Sequence, residues 1–212
     1  MRTIRPTPAL VVAAGIVLLA LAMRLVLFPF QSGDYRMFLA QWYDLIDANG
    51  GFSALRYQIG NYNVPYLYLI ALLTYLPVPA LAGIKAISVL FDLLLVLFVY
   101  KLVALRYPGT WKPFLAAAVV SLLPTVVVNS AMWAQCDSIY AAFGLGGLYY
   151  AVRSKPWLAC VFFGLALSFK LQIVFLFPVL LVLVLLRKMP WPARVKSAHK
   201  RAPTSAPPAK RC

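Results

Sequence analysis

The chain contains no glutamate, one histidine and three cysteines among its 212 residues. Each shortage narrows the chemistry. The single histidine, His199, lies in a basic C-terminal stretch, which argues against a zinc site and against a histidine-based triad. Cys136, Cys160 and Cys212 are widely spaced and odd in number, so they make neither a disulfide framework nor a metal-ligand pattern. All five acids are aspartates: Asp34, Asp44, Asp47, Asp92 and Asp137. Any carboxylate chemistry rests on these positions.

What the chain has in abundance is apolar surface. It is 63% hydrophobic, with a mean hydropathy of +0.84. A soluble domain of this length cannot bury so much, so several membrane spans are expected. The net charge is +15. On a soluble protein that would suggest nucleic acid. Here the basic residues lie mostly between apolar runs and in the tail, which points to orientation in a membrane and away from a nucleic-acid partner.

Six long apolar runs cover residues 8–30, 82–105, 113–133, 138–152, 156–169 and 171–186. The first, preceded by Arg2 and Arg5, resembles a signal peptide but is long enough to span and has no convincing small-residue cleavage site. Arg24, near its outer end, is expected to snorkel to the interface. A shorter piece, 64–79, carries Pro65, Pro77 and Pro79 at its ends, and the residues allow it to cross or to dip. The positive-inside rule favours dipping. Segments 1–7, 101–112, 153–155 and 187–212 then lie inside, with 2, 3, 2 and 8 of the 20 Lys and Arg. This arrangement gives six spans and puts the loop after the first span on the same outer face as "NSAMWAQCDS" (129–138), where Cys136 is expected to be accessible.

In the first outer loop Tyr35, Phe38, Leu39, Trp42, Leu45 and Ile46 recur at helical spacing, and Gly50-Gly51 ends the pattern. This predicts an amphipathic helix on the membrane surface. Asp44 and Asp47 fall on its solvated face. Asp34 precedes the helix in "SGD" and has two readings, an N-cap and a catalytic base. Asp137 likewise reads as an N-cap for the helix that follows, or as part of a site. Asp92 lies inside an apolar run, where an ionised acid is expensive. Lys85, two turns earlier on the same face, is its expected contact, directly or through Ser88. Lys85 and Lys170 both reach the outer face, either as ordinary snorkelling side chains or as phosphate ligands. From position 189 the chain is basic and rich in Pro, Ala and Ser, which predicts disorder.

The order of "YNVPYLYLIALLTYLP", "GIKAISVLFDLLLVLFVYKLV", "NSAMWAQCDSIYAAF" and "FFGLALSFKLQIVFLFPVLL" after a first span and an outer-loop aspartate resembles the N-terminal half of a GT-C glycosyltransferase. The nearest likeness is to bacterial proteins related to the mannosyltransferase that adds the second mannose of the GPI anchor. Trp133, Gln135 and Asp137 also resemble a W-x-Q-x-D segment of dolichyl-phosphate-glucose-dependent glucosyltransferases. The resemblance covers about residues 8–188. It implies an all-α polytopic bundle over 1–188, with 189–212 as a tail, in a bacterial plasma membrane.

The resemblance also implies an inverting transfer of a mannose-like hexose from a polyprenyl-phosphate donor to an acceptor on the outer face. Asp34 would be the general base, and Asp137 would orient hydroxyls. Lys170 would hold the donor phosphate, assisted by Lys85 or Arg56, with Gln135 and Trp133 in the substrate site. Neither a metal nor a cofactor is implied beyond the lipid-linked sugar. Family members are much longer, so a truncated, inactive chain is one expectation and a second polypeptide completing the fold is another. The alternative is a non-catalytic polytopic protein, such as a transporter subunit or a pseudoenzyme fragment.

Overall fold

A computed structural model describes residues 8–185. Arg2, Arg5 and the basic tail with His199 and Cys212 lie outside the described residues. Among the described residues every regular element is a helix, so the fold is all-α.

Helix α1 (Pro8–Leu27) begins on a proline, whose missing N–H costs nothing in a first turn. A π-helical turn, Tyr35–Leu39, leads into α2 (Ala40–Ala48). Gly50 and Gly51, at φ +81° and +64°, then turn the chain away through the left-handed region. A 3-10 helix (Gly51–Arg56) follows. Helix α3 (Val64–Leu73) has 10 residues, which at 1.5 Å per residue is about 15 Å, too short to run the length of the bundle. Helix α4 (Ala80–Arg106) is the long central rod.

The apolar run expected as one helix over 113–133 is broken. Helix α5 (Lys112–Leu122) stops because Leu123, which precedes Pro124, is forced to an extended ψ of 131°. Helix α6 (Pro124–Val127) and a second π turn (Val128–Met132) continue at a bend of 56°. Helices α7 (Asp137–Val152) and α8 (Pro156–Phe169) form a hairpin. The last expected run divides into a 3-10 helix (Leu171–Leu176) and α9 (Phe177–Leu185).

Side-chain contacts fix the directions. Lys85 at the start of α4 meets the end of α1 at Leu27, whereas Val96 farther along α4 shares a groove with Val17 and Leu18. The two helices are therefore antiparallel. Helix α7 runs parallel to α4: Ser138 touches Asp92, and Tyr149 and Tyr150 meet Phe98. Helix α8 returns, with Phe162 beside Phe98 and Phe169 beside Phe91. Gly146 and Gly147 let α7 approach α8 closely, because any Cβ there would enter the rings of Phe162 and Phe163. The ends of α1 and α8, the starts of α4 and α7, and all of α2 and α3 thus gather at one end of the bundle. The main core sits there, around Leu39, Trp42, Ile46, Tyr66, Ile70, Ile84 and Ile139.

Burial along α4 is inverted relative to a water-soluble helix. Lys85, Ser88 and Asp92 are buried, whereas Leu90 and Leu93 are 62% and 58% exposed. In α1, Arg24 is buried while Leu25 and Val26 are 75% and 79% exposed. The expected snorkelling of Arg24 does not occur. By length and composition α4 is long and apolar enough to cross a membrane, and α5 with Pro124–Met132 passes the same test as a bent pair. The remaining apolar helices, among the described residues, are shorter.

Candidate active site

Two loops meet at the crowded end of the bundle. Ser32 joins them: its hydroxyl donates to the Trp133 carbonyl at 3.0 Å and accepts the Tyr35 N–H at 3.1 Å. Ser32 is therefore the side chain that caps the Tyr35–Leu39 turn. Asp34, the sequence's other candidate cap, makes no capping bond. Its carboxylate is exposed and accepts from Gln135 Nε2 at 2.6 Å. The other end of the same amide, Oε1, accepts the Tyr62 hydroxyl at 2.9 Å. Gln135 is aimed by a strained neighbour: Ala134 is buried at φ +60°, a conformation costly for any residue with a Cβ. The Gln135 N–H closes the turn on the Asn129 carbonyl at 2.9 Å.

Asp137, the first residue of α7, is engaged differently. Lys170 pairs with its Oδ1, and Asn129 Nδ2 donates to its Oδ2 at 3.0 Å. Lys170 stands where α8 ends in an extended residue, φ −157°, and its ammonium lies 5.8 Å and 5.9 Å from the ring centres of Tyr62 and Tyr140. Of the two acids where these loops meet, Asp137 pairs with a lysine and Asp34 meets a neutral amide. Both π turns lie beside them, one directly after Asp34 and one containing Asn129. Such bulges recur at functional sites.

Tyr62 was not singled out by the sequence, yet it touches both halves. One polar pocket of about 190 Å³ is lined by Asp34, Phe38, Trp42, Asn61, Tyr62 and Gln135. A second, of about 230 Å³, is lined by Asn61, Tyr62, Asn63, Phe169, Lys170 and Gln172. A third cleft of about 610 Å³ starts at Asp137, Asn129 and Trp133 and runs down apolar side chains to Leu95 on α4. Burial, then the neighbouring Cys136 thiol and Asp137 carboxylate, push the Tyr62 phenol up, which keeps it a hydrogen-bond donor at neutral pH. Cys136 is itself buried rather than accessible, and burial pushes its thiol up to about 11.

Two expected site residues lie elsewhere. Lys85 is buried and gives its three donors to the carbonyls of Leu27, Phe28 and Phe30 at 3.2, 2.8 and 2.5 Å. The Leu27 oxygen also accepts the Phe30 N–H at 3.1 Å, and the ammonium completes the hydrogen bonding of the chain where α1 ends. It holds the chain entering the Asp34 loop and meets neither phosphate-sized pocket. Arg56 is exposed, donates to the Ser53 carbonyl at 3.0 Å and stacks over Tyr57, away from these grooves. Trp133 contributes its carbonyl to Ser32 and its exposed ring to the cleft of about 610 Å³.

The expected Lys85–Asp92 contact is also absent. Asp92 instead accepts Arg24 Nη2 at 2.8 Å, Ser130 Oγ at 2.6 Å and the Ser138 hydroxyl. Arg24 Nη1 reaches the Ser121 carbonyl at 2.9 Å, near the helix break at Pro124. Five helical elements are thereby tied beneath the site. The apolar stripe that runs through the Tyr35–Leu39 turn into α2 is used by protein as well: Tyr35, Leu39, Trp42 and Ile46 are buried against the bundle, whereas Phe38 and Leu45 at its margin are exposed. Asp44 and Asp47 are exposed, as expected of a wet face. Among the described residues no three His, Cys, Asp or Glu side chains converge as a metal would require.

Comparisons with family models, with curated proteins and with solved structures give no match.

Proposed function

We propose that the chain is a multi-pass membrane glycosyltransferase of GT-C type, resident in a bacterial plasma membrane. The membrane reading is supported by inverted burial. A helix with leucines outward and Lys85, Ser88 and Asp92 inward suits an apolar solvent. Shorter elements such as α7, α8 and the bent α5–α6 pair then complete the spans, with α3 dipping. The site end, remote from Lys101, Arg106, Arg153 and Lys155, is the outer face.

The observation that carries the enzymatic reading is the asymmetry of the two acids. Asp34 beside a neutral amide is free to accept a proton, and Lys170 held by Asp137 presents a cation a short way off. In the proposed reaction an acceptor hydroxyl oxygen forms a bond to the anomeric carbon of a mannose-like hexose. The bond from that carbon to the polyprenyl-phosphate oxygen breaks, and its electron pair leaves on the phosphate. The hydroxyl proton goes to Asp34, and configuration inverts. Lys170 stabilises the departing phosphate electrostatically, and the apolar cleft toward Leu95 takes the isoprenoid chain. The proposed partners are bilayer lipid, the lipid-phosphate sugar and an acceptor hydroxyl.

The test is transfer of labelled mannose from a polyprenyl-phosphate donor in membranes carrying the chain. Asp34→Asn should lower turnover by about 100-fold or more, the usual worth of a general base. Lys170→Ala should raise KM for the donor. Undiminished transfer by Asp34→Asn overturns the base assignment, and no transfer by the unaltered chain favours the pseudoenzyme reading.

A further inference from the structure

We infer that the groove between α1, α4 and α5, at the end of the bundle away from the candidate site, holds one acyl chain of an anionic phospholipid whose headgroup phosphate sits between Arg106 and Lys112. The inference rests on the membrane reading and on the inward orientation of this end. It does not depend on the transferase reading.

Between Asp92 and Asp137 the sequence has three cations, Lys101, Arg106 and Lys112, and no acid. Asp34, Asp44, Asp47 and Asp137 lie on elements at the other end, and Asp92 is taken by Arg24. The chain therefore has no aspartate in place to pair with these cations, and among the described residues they form no ion pair. Lys101 turns toward α7, over the rings of Phe98 and Tyr149. Arg106 and Lys112 are exposed and stand around one ring: the guanidinium carbon and the ammonium lie 5.7 Å and 4.2 Å from the centre of Tyr107. The turn that gathers them is fixed. Gly109 takes φ +68°, and the Thr110 hydroxyl donates to the Tyr107 carbonyl at 2.9 Å. Two like charges at one turn repel. A phosphodiester between them removes the repulsion, with a planar fork from arginine and a point charge from lysine.

Snorkelling alone would account for two basic side chains at a membrane surface. It would not account for the groove beside them. Helix α5 starts at Lys112, and Phe114 already forms one wall of a groove of about 480 Å³. The facing wall is Ala14, Val17 and Leu18 of α1, with Val96 of α4 and Ala117 of α5 between. Its lining is alanine, valine, leucine and phenylalanine throughout. Tyr100 meets Phe114 edge to face at 4.9 Å and so holds the start of α5 against α4. An apolar groove with two cations beside it matches a phospholipid, in which phosphate and acyl chain are joined in the same way. A transmembrane helix is a poorer occupant. It is about 10 Å across, and α1 and α5 already pack together. A second copy of this chain in the same membrane orientation could not answer the charge, because its own acids lie elsewhere.

The experiment places the full chain in phosphatidylcholine nanodiscs with a small share of phosphatidylglycerol or phosphatidylcholine carrying a diazirine on one acyl chain. Peptide mapping after irradiation locates the crosslinks. Labelling at Val17, Leu18 and Phe114 should be about fivefold or more higher with phosphatidylglycerol, the worth of about one Lys or Arg beside an anionic headgroup. Labelling at Val161 and Leu165, exposed on α8, should not depend on the headgroup. Arg106→Gln with Lys112→Gln should abolish the preference, and Arg153→Gln with Lys155→Gln, at the other turn of this end, should keep it. Ala14→Leu, which fills the groove, should lower labelling at Phe114 and leave that at Val161. Equal groove labelling by both lipids, a preference that survives loss of Arg106 and Lys112, or one removed as readily through Arg153 and Lys155 overturns the inference. A dimer whose groove neither lipid labels also overturns it, in favour of a second copy. Absence of labelling at Val161 and Leu165 with either lipid would instead sink the membrane reading on which the inference stands.

Discussion

Gln135 and Asp34 are 101 residues apart in the chain, yet the amide nitrogen of one lies 2.6 Å from the carboxylate of the other. A neutral donor in that position orients the carboxylate without cancelling its charge. Gln135→Glu should reverse this. Two carboxylates at such a separation share a proton, and the apparent basicity belongs to the pair. The acid limb of the kcat/KM profile should move to higher pH, so the loss of transfer should grow as pH falls. A pH profile of the variant reads this directly, and an unmoved limb would remove Asp34 from the reaction.

Lys85 distinguishes a phosphate ligand from a helix clamp. With its ammonium on three carbonyls at the end of α1, Lys85→Met should leave the Phe28 and Phe30 oxygens without this donor and destabilise the protein by roughly 2 kcal/mol or more. Melting in detergent should show the loss. KM for the lipid-phosphate donor should be unchanged in whatever fraction remains folded, unlike that of Lys170→Ala.

The Arg24–Asp92 pair is buried and carries its own ring of donors and acceptors. Removing one partner leaves a lone charge inside the bundle. Asp92→Leu alone should cost about 3–5 kcal/mol. Arg24→Met with Asp92→Leu should cost less than the sum of the two single changes. Additive losses in thermal or denaturant unfolding would show that the two side chains do not act as a pair.

Cys136 gives a prediction with a pH sign. Its thiol is raised from 9.0 to about 11 by burial. Since the thiolate is the reactive form, maleimide labelling at pH 7 should be about 100-fold slower than for an ordinary thiol, and slower still because the group is covered. The folded chain binds this proton more tightly than the unfolded chain. The stability linked to it is therefore complete below pH 9 and is lost as pH rises toward 11. Peptide mapping after labelling, native against unfolded, checks the first point, and unfolding curves between pH 8 and 11 check the second.

Much of the fold was legible because apolar runs bounded by prolines and basic residues mark helix ends well: 156–169 is found as read, and 138–152 shifts by one residue. The bend within the run 113–133 was not legible because Pro124 sits among valines and leucines that mask a break. Asp34 was legible as an acid in an unusual place. Its two roles could not be separated, since "SGD" offers two good capping side chains and only three-dimensional contact shows that Ser32 takes the task. Lys85 and Asp92 share a helix face, and that local spacing hid partners from other helices, three carbonyls for one and Arg24 for the other. Tyr62 is one of 12 tyrosines. Nothing in its neighbours sets it apart until the loop holding it lies against Gln135.

The distances along the chain also set a timetable for biosynthesis. Arg24 is made 68 residues before Asp92, and Asp34 precedes Gln135 by 101. At 5–20 residues per second, roughly 5–20 s separate the synthesis of Asp34 from that of its partner. For several seconds of that time α1 carries a guanidinium with no counter-ion. On the proposed membrane reading, α1 would settle in the bilayer together with α4, as a neutral couple, rather than alone.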